Sequence, residues 1–154
     1  MGSRRLARGY ALQALYMADL SGGSIGDALS AVWSSSDLLG EDPPGSEEIE
    51  FAQGLAFGVI ERRDEIDGLI EGSSTNWRLV RMPAVDRNVL RLAVYELIAL
   101  EDIPGTVVIN EAIELAKRFG TAESRAFVNG IVDRIARNLD RVAPRGGKSR
   151  RKGR

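Results

Sequence analysis

The sequence predicts an all-α protein of about seven helices. Apolar residues recur at three- and four-residue spacing in successive segments, the pattern of helices with one buried face. Polar segments containing glycine or proline separate these patterns. With 154 residues and 44% apolar content, the chain is long enough to form one domain with a hydrophobic core.

The clearest element is a helical hairpin between Pro104 and Ala136. We expect Thr106 to cap its first helix and Gly120 to end it in the left-handed conformation. Thr121 then caps the second helix, with Glu123 in its first turn. The apolar stripes comprise Val108, Ala112, Leu115, Ala116 and Phe119 on the first helix, and Val128, Ile131, Val132, Ile135 and Leu139 on the second. Lys117 and Arg118 fall in the last turn of the first helix, where the helix dipole favours cations.

Apolar periodicity in the N-terminal half of the chain predicts three or four further helices. The first runs from Arg4 to about Asp19, and the second from Ser24 to Trp33. The third begins at Ser46, after a loop that contains Pro43-Pro44-Gly45. Its pattern fades near residue 62 and resumes over 64–70, either as a continuation or as a short separate helix.

Three glycines within helical patterns indicate close packing. Gly54 and Gly58 are four residues apart on one side of the third helix, where another helix can approach. Gly130 lies inside the last helix, although glycine costs about 1 kcal/mol relative to alanine there. We therefore expect tight helix packing at Gly130 as well.

The segment from Val85 to Leu100 is the most apolar helix, and its pattern predicts burial on several sides. Its polar residues cluster in the first two turns. Asp86 suits the positive end of the helix dipole. Arg91 either faces a ligand or forms an ion pair with a neighbouring helix.

Trp77 precedes this helix and Pro83. A tryptophan here could provide a platform on which a nucleobase stacks. A lone tryptophan before a helix is more often part of the core or a lid over it, and we prefer that interpretation.

Composition argues against catalysis. The chain has no cysteine and no histidine, which excludes thiol nucleophiles, histidine bases and most zinc sites. No phosphate-binding GxxxxGK[ST] motif occurs. Asn110, Glu111 and Glu114 lack the companion ligands that a metal site needs, and Glu114 is placed to pair with Lys117 or Arg118. We expect no cofactor and no bound metal.

No apolar run approaches the ~20 residues of a membrane-spanning helix. We also find no signal peptide, and we expect a cytoplasmic protein that does not enter membranes.

The net charge of −1 conceals an uneven distribution. The last ten residues, RGGKSRRKGR, carry six positive charges and no negative one, and Arg4, Arg5 and Arg8 add three more near the start. Basic ends on an acidic body suggest an anionic partner. The N-terminal arginines form either a solvated helix face or a phosphate clamp, because arginine donates a planar fork of hydrogen bonds to phosphate oxygens.

Three blocks in order resemble the NusB family of bacterial transcription antitermination factors. They are RRLARGYALQALY from Arg4, VDRNVLRLAVYEL from Val85, and INEAIELAKRFG with FVNGIVDRIA in the hairpin. The resemblance covers most of the chain from Arg4 to Asn138, whereas residues 21–44 carry little of it.

The resemblance implies two small helical bundles packed roughly at right angles. It implies an RNA-binding helical domain over residues 1–140 and a disordered basic tail over 141–154. The implied function is antitermination and termination of transcription by binding the boxA element of ribosomal RNA leader transcripts. The implied partners are single-stranded boxA RNA, ribosomal protein NusE, and RNA polymerase with further Nus factors.

The resemblance also implies an RNA-binding surface. An arginine-rich N-terminus would hold phosphates, and an aromatic residue on the last helix would stack a base. The residues that match these positions or shape the same surface are Arg4, Arg5, Arg8, Asp86, Arg91, Glu123 and Phe127. Phe127 lies one residue off the apolar stripe, which independently predicts partial exposure.

Two alternatives belong to other classes. One is a helical homodimer whose contact surface hides the RNA-binding face, as dimerisation within the family would allow. The other is a detached RNA-binding module related to the front domain of ribosomal RNA cytosine methyltransferases.

Overall fold

A computed structural model describes residues 3–38, 44–75 and 77–143 of the protein. This part of the chain contains seven α-helices, one short 3-10 turn and no strand. The helices are α1 (Ser3–Ser21), α2 (Ile25–Leu38), α3 (Ser46–Glu61), α4 (Arg63–Ser73), α5 (Ala84–Ala99), α6 (Gly105–Phe119) and α7 (Ser124–Asn138), and the 3-10 turn is Leu79–Arg81. The all-α prediction and the helix count are therefore confirmed.

The helices form two groups. Helices α1, α2 and α3 pack against one another, and α4 to α7 form the second group. Helix α5 contacts α1 and α3 as well as α4, α6 and α7, so it joins the two groups. No described helix is both long and apolar enough to cross a membrane.

Helix α5 is buried on several sides, as its apolar pattern predicts. Val89, Leu90, Leu92, Val94 and Leu97 are each no more than 1% exposed. Complete burial of one such side chain contributes about 1.5–3 kcal/mol. A central helix of this kind fixes the positions of all polar groups that neighbouring helices direct toward it.

The break between α3 and α4 falls at Arg62. Its backbone angles, φ −110° and ψ 25°, interrupt the regular helix. The segment after it is thus a separate helix, which the sequence left undecided. Helices α1 and α2 extend beyond their predicted ends, to Ser21 and Leu38.

Glycine packing follows the prediction at only one of three positions. A Cβ atom at Gly58 would lie 2.2 Å from Cζ of Tyr95, so a side chain from α5 does use the space. Gly54 and Gly130 are exposed, and a Cβ atom at either would meet nothing within 4 Å. The expectation of close packing at Gly54 and Gly130 was wrong, because both lie on outward faces of their helices.

The hairpin forms, but its helix ends differ from the prediction. Pro104, rather than Thr106, occupies the N-cap of α6. Gly120 is extended, with φ −97° and ψ −160°, instead of left-handed. Glycine is needed there for space, because a Cβ atom would lie 2.4 Å from the Ser124 hydroxyl. That hydroxyl accepts the N–H of Thr121 at 2.9 Å, so Thr121 lies before the cap of α7.

The chain folds back after α7. Asp140 has a positive φ of 57°, and the N–H of Arg141 donates to the carbonyl of Ala136 at 2.8 Å, as in a Schellman ending. The Arg141 guanidinium then donates to the carbonyls of Leu97 and Ile103.

The tail was predicted to begin at residue 141. In the structure, the chain at 141–143 still contacts the helices. Val142 packs against the core. Residues 144–154, the rest of the predicted tail, lie outside the described residues.

Candidate nucleic-acid interface

The first turn of α1 presents two arginines at the surface. Arg4 is exposed, and its guanidinium lies 4.7 Å from the centre of the Phe51 ring. Arg5 is half exposed and forms a two-pronged hydrogen bond with Glu111 on α6, at 3.1 and 2.8 Å. Both guanidiniums are accessible to phosphate, the anion for which a planar fork of N–H donors is suited.

Arg8 lies inside the protein. It is only 4% exposed, and its Nε and Nη2 atoms each donate to Glu96 of α5 at 2.8 Å. A second carboxylate, Glu111, lies 3.8 Å from Arg8 Nη1. The expectation that Arg8 shares an exposed face with Arg4 was therefore wrong: α5 and α6 cover that side of α1 with acidic partners.

Glu111 sits between the two arginines. The hydrogen bond from Arg5 lowers its pKa below the ordinary value more than partial burial raises it, and the charges of Arg5 and Arg8 act in the same direction. Glu111 is therefore an ionised partner of arginine. The neighbouring Glu114 pairs with Lys117 at 3.6 Å, as the sequence predicted. Among the described residues, no acidic cluster has the arrangement of a metal site.

Asp86 connects the beginnings of α5 and α7. Its carboxylate is 4% exposed and accepts a hydrogen bond of 2.6 Å from the Ser124 hydroxyl. The contact fixes where α7 starts. Asp86 is thus placed behind the surface on which Glu123 lies.

Arg91 is also buried, at 4% exposure. Its guanidinium binds both oxygens of Asp67 on α4, at 2.9 and 3.1 Å, and reaches Asp19 on α1 at 3.2 Å. Of the two interpretations open for Arg91, the structure shows the ion pair with neighbouring helices. This arginine joins three helices, and its guanidinium donates four hydrogen bonds, to Asp67, Asp19 and Asn88.

Glu123 and Phe127 lie on successive turns at the start of α7. Glu123 is exposed and occupies the N-cap, and the Phe127 N–H donates to the Glu123 carbonyl at 3.2 Å. Phe127 is partly buried, as its position beside the apolar stripe predicts. A partly exposed aromatic ring and a carboxylate that accepts the Thr121 hydroxyl at 3.2 Å thus lie one turn apart.

The exposed arginines Arg4 and Arg5 and the Glu123–Phe127 pair lie toward opposite ends of α5. Arg8 marks one end through Glu96, and Asp86 marks the other through Ser124. Ten residues of helix separate these positions, or about 15 Å at 1.5 Å per residue. The exposed arginines at the start of α1 and the Glu123–Phe127 pair at the start of α7 are therefore about 15 Å apart along the axis of α5.

Sequence reasoning missed an exposed arginine stacked on an aromatic ring at the end of α6. Arg118 is exposed, and its guanidinium stacks over the Phe119 ring at 5.0 Å. Both lie beside α1, since a methyl group at Gly9 would contact the Phe119 ring at 3.9 Å. The Lys-Arg-Phe run was visible in the sequence, but we assigned its charges to the helix dipole and to an ion pair with Glu114.

Trp77, which we expected in the core or as a lid over it, is 48% exposed and is therefore not a core residue. Its backbone is nevertheless held in place, because its N–H donates to the Ser74 hydroxyl at 3.2 Å and its carbonyl accepts from that hydroxyl at 2.8 Å.

Comparison with known proteins adds independent information. A sequence model of the NusB family matches residues 5–137. Transcription antitermination protein NusB of Myxococcus xanthus is 49% identical over 141 residues, covering 92% of this chain and 99% of that protein.

Two solved structures are also similar. T. maritima NusB has a TM-score of 0.76 at 40% identity and covers 87% of this chain and 90% of its own. A crystal structure of antitermination factors NusB and NusE in complex with dsRNA has a TM-score of 0.77 at 29% identity, covering 88% and 97%. The protein therefore belongs to the NusB family.

Proposed function

We propose that this protein is a transcription antitermination factor that binds boxA RNA of ribosomal RNA leader transcripts together with ribosomal protein NusE. The observation that carries the proposal is the similarity to the NusB chain solved with NusE and dsRNA, which extends over 88% of this chain. The complex would act in the cytoplasm with RNA polymerase and further Nus factors. Its mechanism is binding rather than catalysis.

The accessible residues suggest a division of roles. Arg4 and Arg5 contact phosphates, which supply salt-dependent affinity. Phe127 stacks a base, and Glu123 accepts hydrogen bonds from a base edge. Single-stranded RNA suits this surface, because its unstacked bases expose both faces and edges.

The buried members of the predicted site hold this surface in place. Arg8 fixes the first turn of α1 against α5, and Asp86 fixes the start of α7 through Ser124. Arg91 joins α1, α4 and α5. We propose that these residues position the RNA contacts and do not touch RNA themselves.

The methyltransferase-module alternative is less well supported. The similarity to the M. xanthus protein extends over 99% of that protein, which is itself named as an antitermination protein. The occluded homodimer is an outcome that the following experiment can reveal.

The test is binding of the full chain to a boxA-like single-stranded RNA and to a scrambled RNA, with and without NusE. At ~0.15 M salt the Debye length is about 8 Å, so nonspecific attraction is partly screened. Preference for boxA that strengthens with NusE supports the proposal. Equal, salt-sensitive binding to both RNAs contradicts it and indicates a generic polycation. Absence of binding by a protein that sediments as a dimer indicates the occluded form.

A further inference from the structure

A surface cavity of about 170 Å³ lies where the segment after α4 meets α7. Its lining includes two aromatic side chains, Trp77 and Phe127, together with Ser73, Gly130 and Arg134. The lining includes Phe127, the aromatic residue of the proposed RNA surface, but neither Arg4 nor Arg5. The cavity therefore adjoins the proposed base-binding residue and is distinct from the proposed phosphate contacts.

The aromatic lining is exposed and anchored. Trp77 presents nearly half of its surface to solvent, and both hydrogen bonds to Ser74 restrain its backbone. Phe127 is held by the core along one side. Aromatic faces bind nucleobases with little sequence preference, because every base has a flat π surface. Two such rings in one cavity offer more contact than Phe127 alone.

The charge around the cavity suits RNA. Arg134 is exposed and donates from Nη1 to the Ser73 carbonyl at 2.6 Å, which keeps its guanidinium at the cavity. Arg78, which follows Trp77 in the chain, and Arg125, two residues after Glu123, are both exposed. The negative charge of Glu123 repels phosphate, but its carboxylate can accept a hydrogen bond from an amino group of a base.

Gly130 keeps the cavity open. It faces outward, and a Cβ atom there would meet nothing within 4 Å. Helix packing therefore does not explain a glycine that disfavours the helix by about 1 kcal/mol. The missing side chain leaves room beside Phe127, which lies three residues earlier on the same side of α7.

We propose that this cavity receives one unstacked nucleobase of the bound RNA, in contact with both Trp77 and Phe127. The inference rests on the proposed function and adds a second aromatic residue and a defined subsite to it. Arg134 lies beside the bound nucleotide and favours its negative charge. Gly130 leaves the space that the base occupies.

The first test uses the fluorescence of Trp77. The chain has two tryptophans, so Trp33→Phe leaves Trp77 as the sole reporter. Titration with the boxA-like single-stranded RNA should quench its emission as a base stacks on it. A series of RNAs, each with one abasic position, should include one member that binds but no longer quenches. The proposed subsite is wrong if every abasic RNA quenches the emission equally. It is also wrong if the intact RNA binds without quenching the emission.

The second test measures affinity for the same RNA. Trp77→Ala should raise Kd about 5- to 150-fold, the range for loss of one stacked base, and Trp77→Phe should restore most of the affinity. Phe57→Ala is the matched control, because Phe57 is an exposed aromatic residue of α3 at 46% exposure. Its Kd should remain within about twofold of the original, well below the effect of a lost stacking contact.

Two substitutions at Gly130 distinguish an effect on RNA binding in the cavity from an effect on folding. Gly130→Leu fills the cavity from an open helical position and should weaken RNA binding while raising helix stability. Gly130→Ala should also stabilise the helix and weaken binding less. If the wild type binds RNA but Gly130→Leu and Trp77→Ala bind equally well, the subsite is wrong and the proposed function stands. If the wild type binds no RNA at ~0.15 M salt, with or without NusE, both are wrong.

Discussion

Arg8 and Glu96 form a buried, two-pronged ion pair between α1 and α5, with both nitrogen–oxygen distances at 2.8 Å. The pair lies one helical turn from Arg4 and next to the ion pair of Arg5 with Glu111. The buried arginine thus fixes the helix whose first turn carries the accessible arginines. The N-terminal basic run thus contains both accessible arginines and a buried arginine that holds the helix in place. The sequence alone does not distinguish them.

Arg8→Ala should therefore act on stability. Removing one partner of a buried ion pair leaves the other charge unpaired and costs about 3–5 kcal/mol. Urea denaturation should show this loss in the free energy of unfolding. Arg5→Ala should cost less than about 1 kcal/mol, because its ion pair is half exposed. Equal losses for the two variants would contradict the assigned roles.

Arg4 and Arg5 should determine the salt dependence of RNA binding. The double variant Arg4→Ala, Arg5→Ala removes two phosphate contacts and should reduce the slope of log K against log salt by about 1.4, at ~0.7 per contact on single strands. Affinity should fall for boxA and scrambled RNA alike. Filter binding between ~0.05 and ~0.2 M salt measures both effects.

A charge-matched control is available at the junction of α3 and α4. Arg62 pairs with Glu65 at 2.9 Å and Arg63 with Asp67 at 3.6 Å, both carboxylates of α4. Their double substitution to alanine removes the same charge and should leave the salt slope unchanged. A similar loss of slope in this control would mean that net charge, not the N-terminal surface, attracts RNA. Arg8 must be retained in both variants, since its removal would confuse binding with unfolding.

Glu111 should weaken RNA binding, because it occupies the Arg5 guanidinium and adds negative charge beside it. Glu111→Gln should tighten binding by up to about fivefold, since a unit charge at ~4 Å in water is worth about 1 kcal/mol. Glu114→Gln removes the same charge from the outer face of α6 and should have a smaller effect. Weaker binding by Glu111→Gln would instead show that Arg5 needs this partner to hold its position.

Periodicity predicted the helices well, because burial of one face imposes its spacing on the sequence. The burial of α5 and the partial exposure of Phe127 followed from the same argument. Arg8 could not be placed in this way, since its partner Glu96 is 88 residues away and no local pattern encodes that contact. An arginine on a helix looks the same in sequence whether the adjacent surface is solvent or an acidic neighbour.

The helix ends and Trp77 show a second limit. Thr106 and Thr121 are plausible caps by residue type, yet the loop places Pro104 and Glu123 at those positions. Trp77 was expected in the core or as a lid over it, because a lone tryptophan before a helix more often has one of these two positions. Only the packing of α4 against α7 reveals the cavity that leaves it exposed.

Asp19 should make the free energy of unfolding depend on pH. Burial raises its pKa, but hydrogen bonds from Asn88 and Arg87 and the charges of Arg87 and Arg91 lower it further, so the folded pKa lies below the ordinary value. Its contribution is fully present above the unfolded pKa of about 3.9 and is lost as pH falls through the folded value. Asp19→Asn should destabilise the protein at neutral pH and flatten the acid branch of its stability curve. Unfolding free energies measured from pH ~7 down to ~2 test this, and an unchanged acid branch would contradict it.

Gly105→Ala should destabilise the return of the chain after α7. A Cβ atom at Gly105 would lie 2.3 Å from the backbone carbonyl of Arg141, which cannot yield as a flexible side chain can. Moving that carbonyl would disturb the Arg141 hydrogen bonds to Leu97 and Ile103, and overpacking of this kind costs about 1–3 kcal/mol. Gly54→Ala is the matched control: its added methyl group meets nothing within 4 Å and should stabilise α3 by up to about 1 kcal/mol. Thermal and urea unfolding should therefore shift in opposite directions for the two variants, and a stabilising Gly105→Ala would mean that residues 141–142 are not held against the start of α6.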